Sequence, residues 1–173
     1  MNDIMTQTAE NRIAPHPFGQ EISQQQLIAT FDQCRQWEDR YRQLILLAKK
    51  LPALPENLKQ QDTEMSGCEN RVWLGHQLLP DGYLHFYGDS EGRIVKGLLA
   101  VILTAVEGKT PEQVLATNLL ALFHQLGLEQ QISGSRLNGV KSLINTVQNA
   151  ATSYIPYGFQ DASRRQGSES PGA

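Results

Sequence analysis

The residues best suited to chemistry are Gly67 and Cys68, in the run Met65-Ser66-Gly67-Cys68-Glu69-Asn70-Arg71-Val72-Trp73-Leu74. Sulfur attacks as the thiolate, which forms at neutral pH beside positive charge or backbone N–H groups. Arg71 lies three residues on, and the fold can bring up Arg93 or Arg136. The glycine lets the backbone bend and leaves the sulfur uncrowded. Val72, Leu74 and His76 alternate with Arg71, Trp73 and Gly75, the period of a half-buried strand. Cys68 is thus expected on a loop held by a sheet, within reach of another protein. The plainer alternative is a small apolar residue closing a turn.

Other chemistries fare worse. A metal centre needs three or four converging ligands. The sequence has no C-x-x-C and no H-x-x-x-H, and His76, His85 and one thiol are too few, even if the histidines meet across a hairpin. No metal is expected. Glu38, Glu69, Asp89 and Glu91 are available for acid–base work, but nothing requires two of them to converge. The phosphate-binding glycine motifs are absent. A cysteine hydrolase would need an oriented histidine, and the sequence leaves open whether His76 or His85 could serve. Cys34 shares a helical face with Phe31, Trp37 and Tyr41 and reads as core. Trp73 is expected to pack against a helix.

The elements that position the loop follow from pattern. Residues 1–21 are polar, without a sustained period, and read as a flexible arm. Ser23 and Gln26 form a capping box, and apolar spacing of three and four then runs to Lys50 as two helical pieces or one bent helix, stopped by Pro52 and Pro55. A short strand is expected at 63–66, a second at 70–78 and a third at 83–88, the last two joined by Leu79-Pro80-Asp81-Gly82. Asp89 or Ser90 reads as the cap of a helix whose apolar residues, from Ile94 to Val106, cover its whole circumference, so it is buried. Thr110-Pro111-Glu112-Gln113 opens another helix, a short one lies within 119–128, and the last begins near Ser133 or Ser135. The expected architecture is α+β: a small antiparallel sheet of about three strands packed against several helices, as one domain over 22–155. Residues 156–173, rich in Gly, Ser, Arg and Gln, read as a disordered tail.

Composition narrows the setting. The chain is 40% hydrophobic and 19% charged, with net charge −3, ordinary for a soluble domain and no sign of nucleic-acid or anionic-membrane binding. The longest nearly unbroken apolar run, 97–106, is half of the roughly 20 residues a bilayer needs. Two cysteines without framework spacing and no secretory signal suggest a cytoplasmic protein.

Six blocks, in order, carry a family resemblance: Trp37-Glu38-Asp39-Arg40-Tyr41, Leu51-Pro52-Ala53-Leu54, Gly67-Cys68-Glu69-Asn70-Arg71-Val72-Trp73, Gly88-Asp89-Ser90-Glu91, Ile94-Val95-Lys96-Gly97-Leu98-Leu99-Ala100 and Ser135-Arg136-Leu137-Asn138-Gly139. Over about 17–151 the chain resembles the SufE-type sulfur-acceptor proteins, and most closely their CsdE branch. The resemblance implies the fold of the iron–sulfur scaffold proteins and a persulfide carried on Cys68. Its sulfur would come from a PLP-dependent cysteine desulfurase and go to iron–sulfur cluster assembly or another sulfur-using pathway, through a cluster scaffold or a tRNA-modification-type acceptor. The resemblance implies a carrier that binds no cofactor of its own, since PLP belongs to the partner, and that stimulates the partner desulfurase; whether it counts as an enzyme by itself the sequence leaves open. Gly67, Glu69, Asn70, Arg71 and Arg136 would form the cysteine's surroundings, and Asp89, Ser90 and Glu91 the partner surface. Asn70 stands where the family often has Ser, and Ala48-Lys49-Lys50 where a glycine is common. A carrier also needs a loop with two states, sulfur sheltered and sulfur presented. The competing readings are a thiol redox protein with Cys34 as resolving thiol and a cluster scaffold, for which further ligand cysteines are lacking.

Overall fold

A computed structural model of the chain describes residues 12–60, 63–65, 70–129 and 134–156, with side chains in the last segment from 138 onward. Helix α1 (Gln24–Asp32) starts on the expected capping box: Ser23 Oγ accepts from the Gln26 N–H at 3.1 Å, and Gln26 Oε1 accepts from the Ser23 N–H at 2.7 Å. The chain then breaks and restarts as a separate helix, α2 (Trp37–Lys50), where the Asp39 carboxylate accepts from the Arg35 and Gln36 N–H groups. Leu44, Leu47 and Ala48 of α2 face inward, and the 51–55 segment leads to a single 3-10 turn, Glu56–Leu58.

The hairpin pairs β1 (Val72–Leu78) with β2 (Leu84–Ser90), antiparallel, from Val72 opposite Ser90 to Leu78 opposite Leu84. Its turn closes through the Gly82 N–H on the Leu79 carbonyl at 2.9 Å. The expected first strand is reduced to a bridge: Glu64 pairs with Trp73, the Met65 N–H donates to the Val72 carbonyl at 2.8 Å, and the Leu74 N–H donates to the Thr63 carbonyl at 2.9 Å. Among the described residues, two strands plus a bridge therefore stand where three strands were expected.

Both faces of the hairpin are covered. Val72, Leu74, Leu84 and Phe86 join the main core, whereas Trp73 and Tyr87 pack with Leu54, Leu58, Ile13 and Ala14 on the opposite face. Trp73 thus lies against irregular chain and not against a helix. Residues 12–21, expected as part of an arm, are built into the fold: Phe18 is fully buried and His16 nearly so. Residues 1–11 and 157–173, where a flexible arm and tail are expected, lie outside the described residues.

Helix α3 (Arg93–Val106) is the buried centre, as its all-round apolar sequence predicted. It starts on Gly92 and not on Asp89 or Ser90, which belong to β2. A Cβ on Gly97 would sit 2.4 Å from the Leu44 carbonyl oxygen, so this glycine allows α2 and α3 their close approach. Three helices finish the fold: α4 (Pro111–Ala116), capped by Thr110 and Gln113, α5 (Leu119–Gln125), and α6 (Gly134–Ser153). Val140, Leu143, Val147 and Ala151 of α6 close the core. Among the described residues no helix is long and apolar enough to cross a membrane.

Candidate functional site

The segment expected to carry the thiol lies between two stems, residues 63–65 and 70–72, which run side by side. Gly67, Cys68 and Glu69 lie outside the described residues, and with them the question of a sheltered or presented sulfur. Both stems are tied to their neighbours. Besides the Met65–Val72 bond, the Arg71 carbonyl accepts from Ser90 Oγ at 3.1 Å and from the Glu91 N–H at 3.0 Å. Asn70 packs on Gly92, where a Cβ would come within 2.5 Å of Asn70 Nδ2.

Side chains tie the stems as well. Arg71 donates from Nη2 to Glu64 Oε1 at 2.8 Å and from Nε to Glu64 Oε2 at 3.2 Å, a two-pronged pair, while Glu91 Oε1 lies 3.6 Å from Nε. The hydrogen bond from Arg71 holds the Glu64 carboxyl below its ordinary range, and the same bond raises the Arg71 guanidinium. Both side chains remain substantially exposed. Beneath them the Trp73 ring has the Arg71 guanidinium carbon 4.9 Å and Lys59 Nζ 4.8 Å from its centroid. The buried indole N–H makes no hydrogen bond of good geometry, yet it is near enough to the Glu64 carboxylate to favour its charged form.

The other expected site residues divide. Asp89 is buried, accepting from the Leu54 N–H at 2.9 Å and pairing with Lys96 Nζ at 3.0 Å. Ser90 is buried too, so of the three residues assigned to a partner surface only Glu91 is exposed. Arg93 is exposed in the first turn of α3. Arg136 lies in the first turn of α6, and its side chain is outside the described residues. Beside the first stem a polar cleft of about 400 Å³ runs between 63–65, Leu74 and the α6 residues Ser142, Asn145 and Thr146. Cys34 is buried, and burial, with Asp39 adding to it against Arg40, raises its thiol above the ordinary value. That suits core and not a resolving thiol.

His76 and His85 do not meet. His76 stands opposite Phe86, on one face, and shares a 2.7 Å hydrogen bond with Tyr154 Oη. His85 faces the other side, where it joins His16 and Glu107 in a buried group that sequence spacing did not signal. His85 Nδ1 lies 2.6 Å from Glu107 Oε2, and Nε2 lies 2.5 Å from the Ile13 carbonyl. Both partners are acceptors, so both ring nitrogens carry protons and the ring is an imidazolium. His16 accepts from the Phe18 N–H at Nδ1 and donates from Nε2 to the Phe86 carbonyl at 2.7 Å, so it is the neutral tautomer. Burial alone would raise the Glu107 carboxyl, but hydrogen bonds from His16 and His85, the His85 charge and the Phe86 N–H outweigh it and hold it at about 2. The spacing of these three residues would suit a metal ion, but each donor atom is already used by a partner within the protein.

The family profile described as SufE, Fe-S metabolism associated domain, matches residues 25–151. The chain belongs to the SufE family. Within it the CsdE branch is indicated by 55% identity over 136 residues to the sulfur acceptor protein CsdE of Escherichia coli, covering 79% of this chain and 92% of that one. An uncharacterized SufE-like protein of Rhizobium meliloti is 34% identical over 134 residues, covering 76% and 96%. The solution structure of a hypothetical protein from Thermus thermophilus, 20% identical, shares the SufE-family chain's fold with a TM-score of 0.61 over 75% of this chain and 93% of that one.

Proposed function

We propose that the chain is a sulfur acceptor that takes sulfane sulfur from the persulfide of a PLP-dependent cysteine desulfurase onto Cys68 and relays it to iron–sulfur cluster assembly or another sulfur-using pathway. The observation that carries this reading is the 55% identity to a protein named as a sulfur acceptor. The bonded residues at 63–65 and 72–74 support it, since they hold the two ends of the segment that carries Cys68 side by side. The Cys68 thiolate attacks the outer sulfur of the desulfurase persulfide, the S–S bond to the donor cysteine breaks, and that cysteine leaves as a thiolate. A persulfide now stands on Cys68, with no net oxidation. The work of PLP is finished on the partner, and this chain needs no cofactor of its own. Gly67, Glu69, Asn70, Arg71 and Arg136 form the surroundings of the sulfur, Glu91 meets the partner, and the exchange takes place in the cytoplasm.

Incubation with a cysteine desulfurase, PLP and cysteine, followed by mass spectrometry, tests this. The expected result is one added sulfur on Cys68, kept in Cys34→Ser and lost in Cys68→Ser. Absence of an adduct on the unaltered protein overturns the reading.

A further inference from the structure

We propose that the open edge of β1, from Leu74 to Leu78, receives an extended segment of the desulfurase as an added strand. This deepens the acceptor reading and rests on it. Along β1 the even-numbered residues turn their backbone away from β2. The Leu74 N–H donates to the Thr63 carbonyl at 2.9 Å, and the Val72 carbonyl accepts from the Met65 N–H at 2.8 Å. Leu84, opposite Leu78, likewise turns away from β1, toward Gly108 and Lys109. Pairing with 63–65 stops at Thr63, because the Thr63 and Glu64 N–H groups both turn to the Gln60 carbonyl, at 3.2 and 2.9 Å. The Leu74 carbonyl, the His76 N–H and carbonyl and the Leu78 N–H are left without a hydrogen-bond partner among the described residues. A row of such groups is what a further strand pairs with.

The edge is also unprotected. Edge strands are commonly blunted by charged side chains or proline, and Leu74-Gly75-His76-Gln77-Leu78 carries no Lys, Arg, Asp, Glu or Pro. His76 is exposed, and Leu78 is 45% exposed. Helix α6 stands alongside. Its Ser142, Asn145 and Thr146 share the cleft of about 400 Å³ with Thr63 and Leu74, and Tyr154, just past the helix, bonds His76. An added strand would lie end to end with 63–65 and turn alternate side chains toward α6. The hydroxyl and amide groups there suit polar side chains on that face of the incoming segment. The acceptor reading brings the desulfurase to the chain between Met65 and Asn70, and the open edge begins beside Thr63, close to Met65. That adjacency assigns the edge to the desulfurase.

The test is amide hydrogen exchange of the full chain, read residue by residue, with and without a saturating cysteine desulfurase. The His76 and Leu78 amides should exchange freely in the chain alone and about tenfold or more slowly in the complex. Gly75 and Gln77, which face β2, should be protected in both. Binding titrations of two variants complete it. His76→Ala keeps the backbone donor and should bind within about twofold of the unaltered protein. His76→Pro removes a donor that the fold does not use, a change edge strands tolerate, and should weaken binding about tenfold. Unchanged exchange at His76 and Leu78 overturns the proposal whether or not the proline variant folds, and so does equal binding of the two variants. Protection that rises with the protein's own concentration, without desulfurase, would place a second copy on the edge and overturns it as well. Sulfur loaded on Cys68 with both amides unchanged leaves the acceptor reading and removes this one. Protected amides with no sulfur loaded do the reverse.

Discussion

The hairpin carries a group of carboxylate and cation near each end, and the two are built from similar chemistry in opposite surroundings. Toward the turn, Glu107 and the His85 imidazolium face each other with side chains 1% exposed, fully hydrogen-bonded by Ile13, His16 and Phe86. At the open end, Glu64 and Arg71 make an equally well-formed pair with side chains 31% and 58% exposed. Water decides what each is worth. In the interior, removing one partner strands the other, at a cost of about 3–5 kcal/mol. At the surface, water takes the place of the lost partner and an ion pair is worth roughly 0–1 kcal/mol. The first group therefore welds residues 12–18 and the end of α3 to the hairpin. The second ties residues 63–65 to 70–72 while adding little to stability.

The largest effect is expected from Glu107→Ala. It leaves the His85 ring and the Phe86 N–H buried without their carboxylate. A loss of about 3–5 kcal/mol should lower the melting temperature by about 10 °C. Glu107→Gln should cost less, because an amide can donate to a neutral His85. The pH dependence separates the two ideas. The Glu107 carboxyl is held at about 2, against an ordinary value near 4.5, so the folded state binds its proton more weakly than the unfolded state does. Its contribution, about 3 kcal/mol, is complete above pH 4.5 and is lost as pH falls from 4.5 toward 2. Thermal melts across that window should show a steep acid limb that is shallower in Glu107→Gln. An identical limb in both would mean that the buried pair is not the weld described here.

Asp89 should fall between the extremes. Its carboxylate is buried, but its partner Lys96 is 18% exposed and can turn toward water. Asp89→Asn keeps an oxygen for the Leu54 N–H and loses the charge, so about 2 kcal/mol is expected. Chemical denaturation read against Glu107→Ala checks the ranking, and a cost equal to that of the buried histidine pair would break it.

What the sequence could reveal differs between these regions for a physical reason. Ser23 with Gln26 and Thr110 with Gln113 are local devices, visible at fixed spacing and found where expected. The buried helix α3 announces itself by apolar residues all round, and the Gly67-Cys68 stretch by residue type. Phe18 and His16 do not, because a segment that inserts one residue at a time leaves no period to read. The His16, His85 and Glu107 group joins three distant parts of the chain, so no spacing rule reaches it. Asp89 and Ser90 misled because their types favour helix caps, whereas Leu54, Lys96 and Arg71 hold them in the strand. Glu64 and Arg71 stand seven apart, a separation that means nothing until the stems are known to run side by side.

The smallest effect is the most demanding one for the comparison. Glu64→Gln should change folding stability by less than about 1 kcal/mol, a shift of only a few degrees. Raising the salt concentration to about 1 M, where the screening length is roughly 3 Å, should erase even that difference, while leaving the gap between the unaltered protein and Glu107→Ala in place. Melting curves at low and high salt for both variants decide it. If Glu64→Gln were as costly as Asp89→Asn at either salt concentration, the open end of the hairpin would be a second weld. The exposed pair would then be holding the fold together and not merely joining two neighbouring chain ends.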